Sequence, residues 1–305
     1  MKKFLYKIVL LFLLLFVIDY GVGVCFSWLV ANAKDGDAAR NYYICKKTSE
    51  DILIFGSSRA SHHYNSNILR DSLNMPVYNC GMDGNGIILH YGRYEIISKR
   101  YHPKYVIYDI EPSFDLHEDN KEKYLTTLKP FYDEEGISDI FNDVDKNMIY
   151  KMLSSMYQYN SEFAQILINN IHPLKSSGIN GFRPLEGKIE KKKTVKNKEK
   201  TDYEFDELKL SYMEKLIKNI GKEHFIFAIS PTWSGMDSAS YAPVMELARK
   251  YNIPFYNYSN DKKYFYNFEC FKDRGHLNSK GADEFTKEFA HDLLGNKLIG
   301  KEKIK

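Results

Sequence analysis

Two kinds of apolar segment alternate with polar sequence along this chain. One is long: from Ile8 to Val30 the only charged residue is Asp19. The others are short and end in turn residues, which is the pattern of strands buried on both faces. They are Asp51–Phe55, ending at Gly56-Ser57-Ser58; Met75–Asn79, ending at Cys80-Gly81-Met82-Asp83-Gly84; Tyr105–Ile110, ending at Glu111-Pro112; His224–Ser230, closing at Pro231; and Pro254–Tyr258. Between them the period changes to that of helices. His62–Leu73 and Ile87–Arg100 read as helices, the second with Ile88, Tyr91, Ile96 and Ile97 among its apolar positions. Ser211–Ile220 and Tyr241–Tyr251 follow, and Ser279–Leu294 closes the series, with Ser279 as its cap. Apolar strands alternating with helices predict an α/β domain of three layers, a parallel sheet covered on both faces.

More than a hundred residues separate the third and fourth strands, far beyond an ordinary crossover, so about 113–222 reads as an insertion. Within it Tyr150–Ile171 looks helical and Lys175–Lys200 looks like a loop. The predicted organisation is a cytoplasmic tip and anchor at 1–31, a polar linker at 32–50, the α/β domain at 51–295 and a basic tail at 296–305.

The long apolar run suits a membrane, since about 20 apolar residues span the hydrocarbon core. Lys2, Lys3 and Lys7 precede it and no lysine directly follows, which predicts a cytoplasmic N-terminus and an extracytoplasmic body. A cleaved signal peptide competes with this reading because Ala31-Asn32-Ala33 has the small-x-small form, but the run is longer than a typical signal core. Cys25 lacks the small residue before it that a lipoprotein signal requires. Asp19 inside the span costs about 2.5 to 3.5 kcal/mol on insertion scales, so it is expected to meet protein or water. Docking of the helix against a partner membrane protein is one expectation; a protonated or snorkelling acid is the other.

Composition narrows the function. A net charge of +3 gives no footprint for nucleic acid, and the basic excess is local, in the polar run Lys188–Lys200 that reads as a solvated loop. Cys25, Cys45, Cys80 and Cys270 match no zinc spacing, so neither a metal nor another cofactor is expected. Buried free thiols are the default, although an extracytoplasmic pair could oxidise.

Three motifs carry candidate chemistry, and in parallel sheets ligands bind beyond the carboxyl ends of the strands. Gly56-Ser57-Ser58-Arg59 sets a serine in a tight strand-to-helix turn, near the positive end of the helix that follows. The glycines after the second strand let backbone amides turn toward a ligand, as an oxyanion site needs, and their spacing is not a dinucleotide fingerprint. Asp273 and His276, three apart before the last helix, suit a carboxylate on Nδ1 that leaves Nε2 for a serine.

In this order the motifs resemble the GDSL/SGNH hydrolase superfamily over about Asp51 to Leu294, interrupted by the insertion. The resemblance implies a flavodoxin-like sheet in strand order 2-1-3-4-5. It implies Ser58 as nucleophile, with Ser57 where many members have aspartate; His276 as base, oriented by Asp273; and an oxyanion hole from the Ser58 and Gly84 amides. One block departs. Where the family has Gly-x-Asn after the third strand, supplying a further oxyanion donor, this chain has Asp109-Ile110-Glu111-Pro112. An ionised carboxylate donates nothing, and losing such a donor costs about 3 to 4 kcal/mol. Either Asp109 or Glu111 points away, or one is protonated, or Arg59 or Asn85 substitutes as donor; Ser57, Arg59, Asn85, Asp109 and Glu111 are expected to line the site.

The implied activity is a serine-dependent esterase or O-acyltransferase. Anchored members of the superfamily that it resembles add or remove acetyl groups on glycans, often with a membrane acyl-donor partner. The resemblance together with the outward topology therefore implies an acylated, mainly acetylated, cell-surface or exported polysaccharide as substrate and an integral-membrane acyl donor as partner. A non-catalytic glycan-binding or assembly subunit and a lipid esterase remain as alternatives.

Overall fold

The computed structural model describes residues 1–173, 178–190 and 203–296. Most of the basic run, residues 191–200, and residues 297–305 of the basic tail lie outside the described residues, as do 174–177 of the expected loop. The chain divides into two compact units. Met1–Lys47 and Lys121–Ser176 form one, and Thr48–Asn120 and Ser177–Lys305 form the other.

The second unit holds the sheet. Its strands are β1 (Ile52–Gly56), β2 (Val77–Asn79), β3 (Tyr105–Asp109), β4 (Phe225–Ile229) and β5 (Phe255–Asn257). They lie in the order β2-β1-β3-β4-β5, all parallel, with Gly56 opposite Asp109 and Asp109 opposite Ala228. This is the doubly wound order that the resemblance implies, and the fold is consistent with an SGNH hydrolase. The strands read as continuous apolar runs because both faces are covered. Ile52, Ile54, Ile107, Ile226 and Ala228 share a buried cluster with Tyr64, Leu69, Phe285 and Phe289. On the other face, His90 of the Ile87–Ser98 helix stacks on Phe55 and meets Tyr108 edge-on, with centroids 5.2 and 5.7 Å away. The order reverses between β1 and β3, and in sheets of this kind ligands bind beyond the carboxyl ends of the strands at such a point.

Several elements depart from the sequence reading. The expected His62–Leu73 helix is two helices, Ser58–His63 and Ser66–Leu73. Tyr64 between them is extended so that its hydroxyl reaches Asp109, and Asn65 caps the second helix by accepting from the Asn67 amide at 3.1 Å. The helix expected from Ser211 starts earlier, at Glu207, because Asp206 caps it. The closing helix is capped by Asn278 and not Ser279: Asn278 Oδ1 accepts from the Gly281 amide at 2.9 Å.

In the first unit, the Lys2–Asn32 helix contains the whole apolar run and is long and apolar enough to cross a membrane. The stretch read as a polar linker contains a helix, Gly36–Lys46, whose cap Asp35 accepts from the Gly36 amide at 2.6 Å. The expected Tyr150–Ile171 helix is interrupted: Met148–Lys151 and Phe163–Ile171 are helical, with turns between. The break follows from competition for amides, since Ser155 N and Met156 N donate to the Asp19 carboxylate at 2.7 and 3.1 Å instead of to helical carbonyls. Asp19 therefore finds its hydrogen-bond partners within its own chain. The four cysteines are free, with Cys45, Cys80 and Cys270 buried.

Candidate active site

The site grows from the turn after β1. Gly56 has φ +136°, and a Cβ there would sit 2.5 Å from the Asp109 carbonyl oxygen and 2.9 Å from Ala60 Cβ. Only glycine brings the chain so close to β3 before it turns into the Ser58–His63 helix. Ser58 is the first residue of that helix, where a backbone N–H has no helical acceptor. The loop after β2 is laid against this elbow. Met82 N donates to the Gly56 carbonyl at 3.0 Å, and a Cβ on Gly81 would lie 2.4 Å from Ser61 N. Gly84, two residues on, is exposed with φ +68° and open space at its Cβ position.

The loop between β5 and the closing helix supplies the other partners. Ser58 Oγ lies 2.8 Å from His276 Nε2, and His276 Nδ1 lies 2.9 Å from Asp273 Oδ1. The same carboxylate oxygen accepts from the Gly275 and His276 amides at 2.8 and 3.0 Å, which freezes the turn that carries both residues. Because Asp273 accepts at Nδ1, that nitrogen carries the proton and Nε2 is left as the acceptor facing the serine hydroxyl. Ser58, His276 and Asp273 are thus brought together from positions 218 residues apart in the chain.

Two histidines that the sequence reading did not single out stand beside this group. His63 is fully buried; its Nε2 accepts from the Leu277 amide at 2.9 Å, so its Nδ1 carries the proton and donates to Ser230 Oγ at 2.9 Å. Burial, with the charges of His276, Arg59 and His62, pushes its pKa well below the usual range and keeps it neutral. Ser230 in turn meets Asp109 Oδ2 at 3.2 Å. A polar chain therefore runs from the third strand to the peptide next to His276. His62 bonds the Arg183 carbonyl at 2.6 Å through Nδ1 and Asp83 at 3.2 Å through Nε2, with its ring edge-on to His276 at 5.4 Å. The pair His62-His63 one turn after the serine was the available signal, but only the fold gives each ring its partners.

The remaining predicted site residues have other engagements. Asp109 is fully buried and accepts from Tyr64 Oη at 2.7 Å and Ser230 N at 2.7 Å. Burial raises its pKa, only partly countered by Arg59, Tyr64 and the Ser230 amide. Arg59, 4% exposed, places Nε 3.0 Å from Glu111 Oε2 and 3.8 Å from Asp109 Oδ2, and its Nη2 donates to the Ile110 carbonyl. The Glu111 contact has the distance of an ion pair without the alignment of a hydrogen bond. Burial works against the guanidinium charge, but Glu111 and Asp109 outweigh it and raise the Arg59 pKa. Asn85 Nδ2 donates to the Asp83 carbonyl at 3.0 Å, and its Oδ1 is buried without a partner. Ser57 Oγ is likewise buried and unpartnered. Arg59 and Asn85 thus spend these donors on the chain's own acceptors.

No protein-family model matches the chain, and no curated protein matches it. Among solved structures, a lipase/acylhydrolase from Enterococcus faecalis is similar at 11% identity and a TM-score of 0.42, covering 84% of this chain and 100% of that one. A protein described as lipolytic and of the G-D-S-L family, from Desulfitobacterium hafniense DCB-2, is similar at 12% identity and a TM-score of 0.37, covering 79% of this chain and 98% of its own. A gut microbial diltiazem-metabolizing enzyme is similar at 15% identity and a TM-score of 0.35, covering 80% of this chain and 48% of that one.

Proposed function

We propose that this chain is a membrane-anchored SGNH-type serine esterase or O-acyltransferase, acting on acyl groups, acetyl foremost, of cell-surface or exported polysaccharide. The observation that carries the catalytic reading is the unbroken line Ser58 Oγ, His276 Nε2, His276 Nδ1, Asp273 Oδ1, with contacts of 2.8 and 2.9 Å at its two joints. His276 takes the Ser58 proton as Oγ attacks the ester carbonyl carbon, and the carbonyl π pair moves onto oxygen. The Ser58 and Gly84 amides receive that oxyanion. When the tetrahedral adduct collapses, the C–O bond to the alcohol breaks and His276 returns the proton to it. Water, or a sugar hydroxyl, then attacks the acyl-serine through the same base; the first gives hydrolysis and the second transfer.

The glycan substrate rests on the family resemblance together with the outward orientation, which itself rests on the apolar helix and the lysines that precede it, and a transferase would draw its acyl group from an integral-membrane donor. The test is labelling of the full chain with a fluorophosphonate probe. Ser58 is expected to be modified, and Ser58→Ala or His276→Ala to abolish labelling. Labelling that persists in Ser58→Ala sinks the assignment, and no labelling of the wild type favours a binding or assembly subunit. Release of acetate from acetylated xylan, against cleavage of p-nitrophenyl esters of increasing chain length, separates glycan from lipid substrates.

A further inference from the structure

In the first unit, a set of apolar side chains faces outward beside the long helix. Ile149, Tyr150 and Leu153 are exposed, the last at 77%. On the Phe163–Ile171 helix, Leu167, Ile168 and Ile171 lie on an exposed stripe at helical spacing, and Ile171 is 70% exposed. The opposite side of that helix, with Phe163 and Ile166, packs on Phe26 and Val30 of the long helix, so the stripe faces away from the cluster.

The depth of this segment follows from the long helix. Counting from Ile8, just past Lys7, a hydrocarbon core of about 30 Å takes about 20 residues and ends near Ser27. Trp28, 63% exposed, then falls at the interface, where tryptophan is enriched. Asp19 lies nine residues earlier, about 13 Å below that level. Its carboxylate accepts from Ser154 Oγ at 2.5 Å, Ser155 N at 2.7 Å and Met156 N at 3.1 Å. The far end of the segment is shallower, because Asn170 Nδ2 donates to the Leu29 carbonyl at 3.3 Å. The turn at 154–156 is therefore at bilayer depth, and the segment climbs to the interface by Ile171.

We propose that Met148–Ile171 enters the leaflet on the C-terminal side of the span, with its exposed apolar face against lipid acyl chains, and that Asp19 is the residue that holds it there. The proposal rests on reading Lys2–Asn32 as a membrane span. Irregular backbone survives in hydrocarbon only when its polar groups are satisfied. Ser155 N and Met156 N lack helical acceptors, and Asp19 supplies one; the acid and the open turn answer each other's cost. Close approach is built in at Gly23, where a Cβ would meet Ser155 Cβ at 2.4 Å. Lys151, the charged residue between Ile149 and Met156, is paired with Asp145 at 3.2 Å.

The test uses the full chain in phosphatidylcholine vesicles, with Cys25→Ser and a nitroxide at Leu153→Cys, Ile171→Cys or, as a water-facing reference, Lys262→Cys. The Leu153 label is expected to be open to oxygen, closed to a water-soluble nickel chelate, and deeper than the Ile171 label by about 10 to 15 Å. Asp19→Leu, or Gly23→Ile with the acid kept, should return the Leu153 label to nickel access while the chain still resists carbonate extraction. A Leu153 label as open to nickel as Lys262, or closed to both reagents as in a protein–protein contact, overturns lipid insertion. Unchanged access in Asp19→Leu overturns the role of Asp19, and unchanged access in Gly23→Ile overturns the role of close approach at Gly23. Release of the wild-type chain by carbonate is a separate outcome that sinks the span reading, and this inference with it.

Discussion

Replacing Arg59 with methionine tests whether Asp109 at the end of β3 and Glu111 beyond it are neutralised from the Ser58 turn. The side chain is 4% exposed, with Asp109 fully buried at 3.8 Å and Glu111, whose side chain is 20% exposed, at 3.0 Å. Methionine keeps much of the volume and removes the charge. Taking one partner from a buried ion pair costs about 3 to 5 kcal/mol, because the remaining charge stays desolvated. The cost has a pH signature. Asp109 already has a raised pKa in the folded chain, and loss of Arg59 raises it further. A group with a raised folded pKa favours the fold fully below its unfolded value, near 3.8, and loses that advantage as pH rises through the folded value. The variant's deficit should therefore be largest near pH 8 and shrink toward pH 4, where a protonated Asp109 needs no counter-charge. Urea unfolding in detergent, followed by the emission of Trp233, reads this unit, because Trp233 is buried in its core and the other tryptophan, Trp28, is exposed on the long helix. A deficit below about 1 kcal/mol at pH 8, or one that grows as pH falls, would refute the reasoning.

The remaining expectations concern His63 and the N-terminus. His63→Phe leaves the buried Leu277 amide without its acceptor, a loss of about 1 to 3 kcal/mol, and should slow fluorophosphonate labelling by displacing His276. Because the folded His63 pKa is depressed, its contribution is present above the unfolded value, near 6.5, and lost as pH falls below it. Urea midpoints at pH 8, 6.5 and 5 should therefore decline more steeply in the wild type than in the variant, and parallel declines would count against a neutral buried ring. The mature chain should keep residues 1–33, since cleavage after Ala33 would remove Phe26 and Val30 from the cluster they form with Tyr159 and Ile166; an intact mass beginning at Lys34 would contradict this.

What the sequence made legible was local. The strands stood out because a parallel strand buried on both faces needs an unbroken apolar run, as in Ile52–Phe55 and Phe225–Ile229. The Asp273–His276 contact was readable because three residues of one turn fix its geometry. What was hidden depends on partners distant in sequence. Tyr64 breaks a helix to reach Asp109, His63 finds Ser230 across 167 residues, and Asp19 takes amides from Ser155 and Met156 that would otherwise have continued a helix. No local period records such demands. The cap at Asn278 was missed by one residue because asparagine and serine are both strong caps and only the Gly281 bond tells them apart.

The acids that stand where the resemblance would place an asparagine look, from sequence, like an obstacle to the proposed reaction, and their geometry argues otherwise. An ionised carboxylate would oppose an oxyanion if it faced the same space. Asp109 instead spends its oxygens on Tyr64, Ser230 and Arg59, and Glu111 faces the same guanidinium. Through Ser230 and His63 that buried acid is tied to the Leu277 peptide, and it pairs directly with Arg59, the residue after the serine. The third-strand block then acts as a clamp that fixes the serine turn and the histidine loop against each other. Positioning of this kind preserves the near-attack geometry on which much of a catalytic effect depends. It supplies no oxyanion donor of its own, so the proposed reaction relies on two backbone amides for its oxyanion, and its chemical step is expected to lack the stabilisation of about 3 to 4 kcal/mol that a further donor contributes.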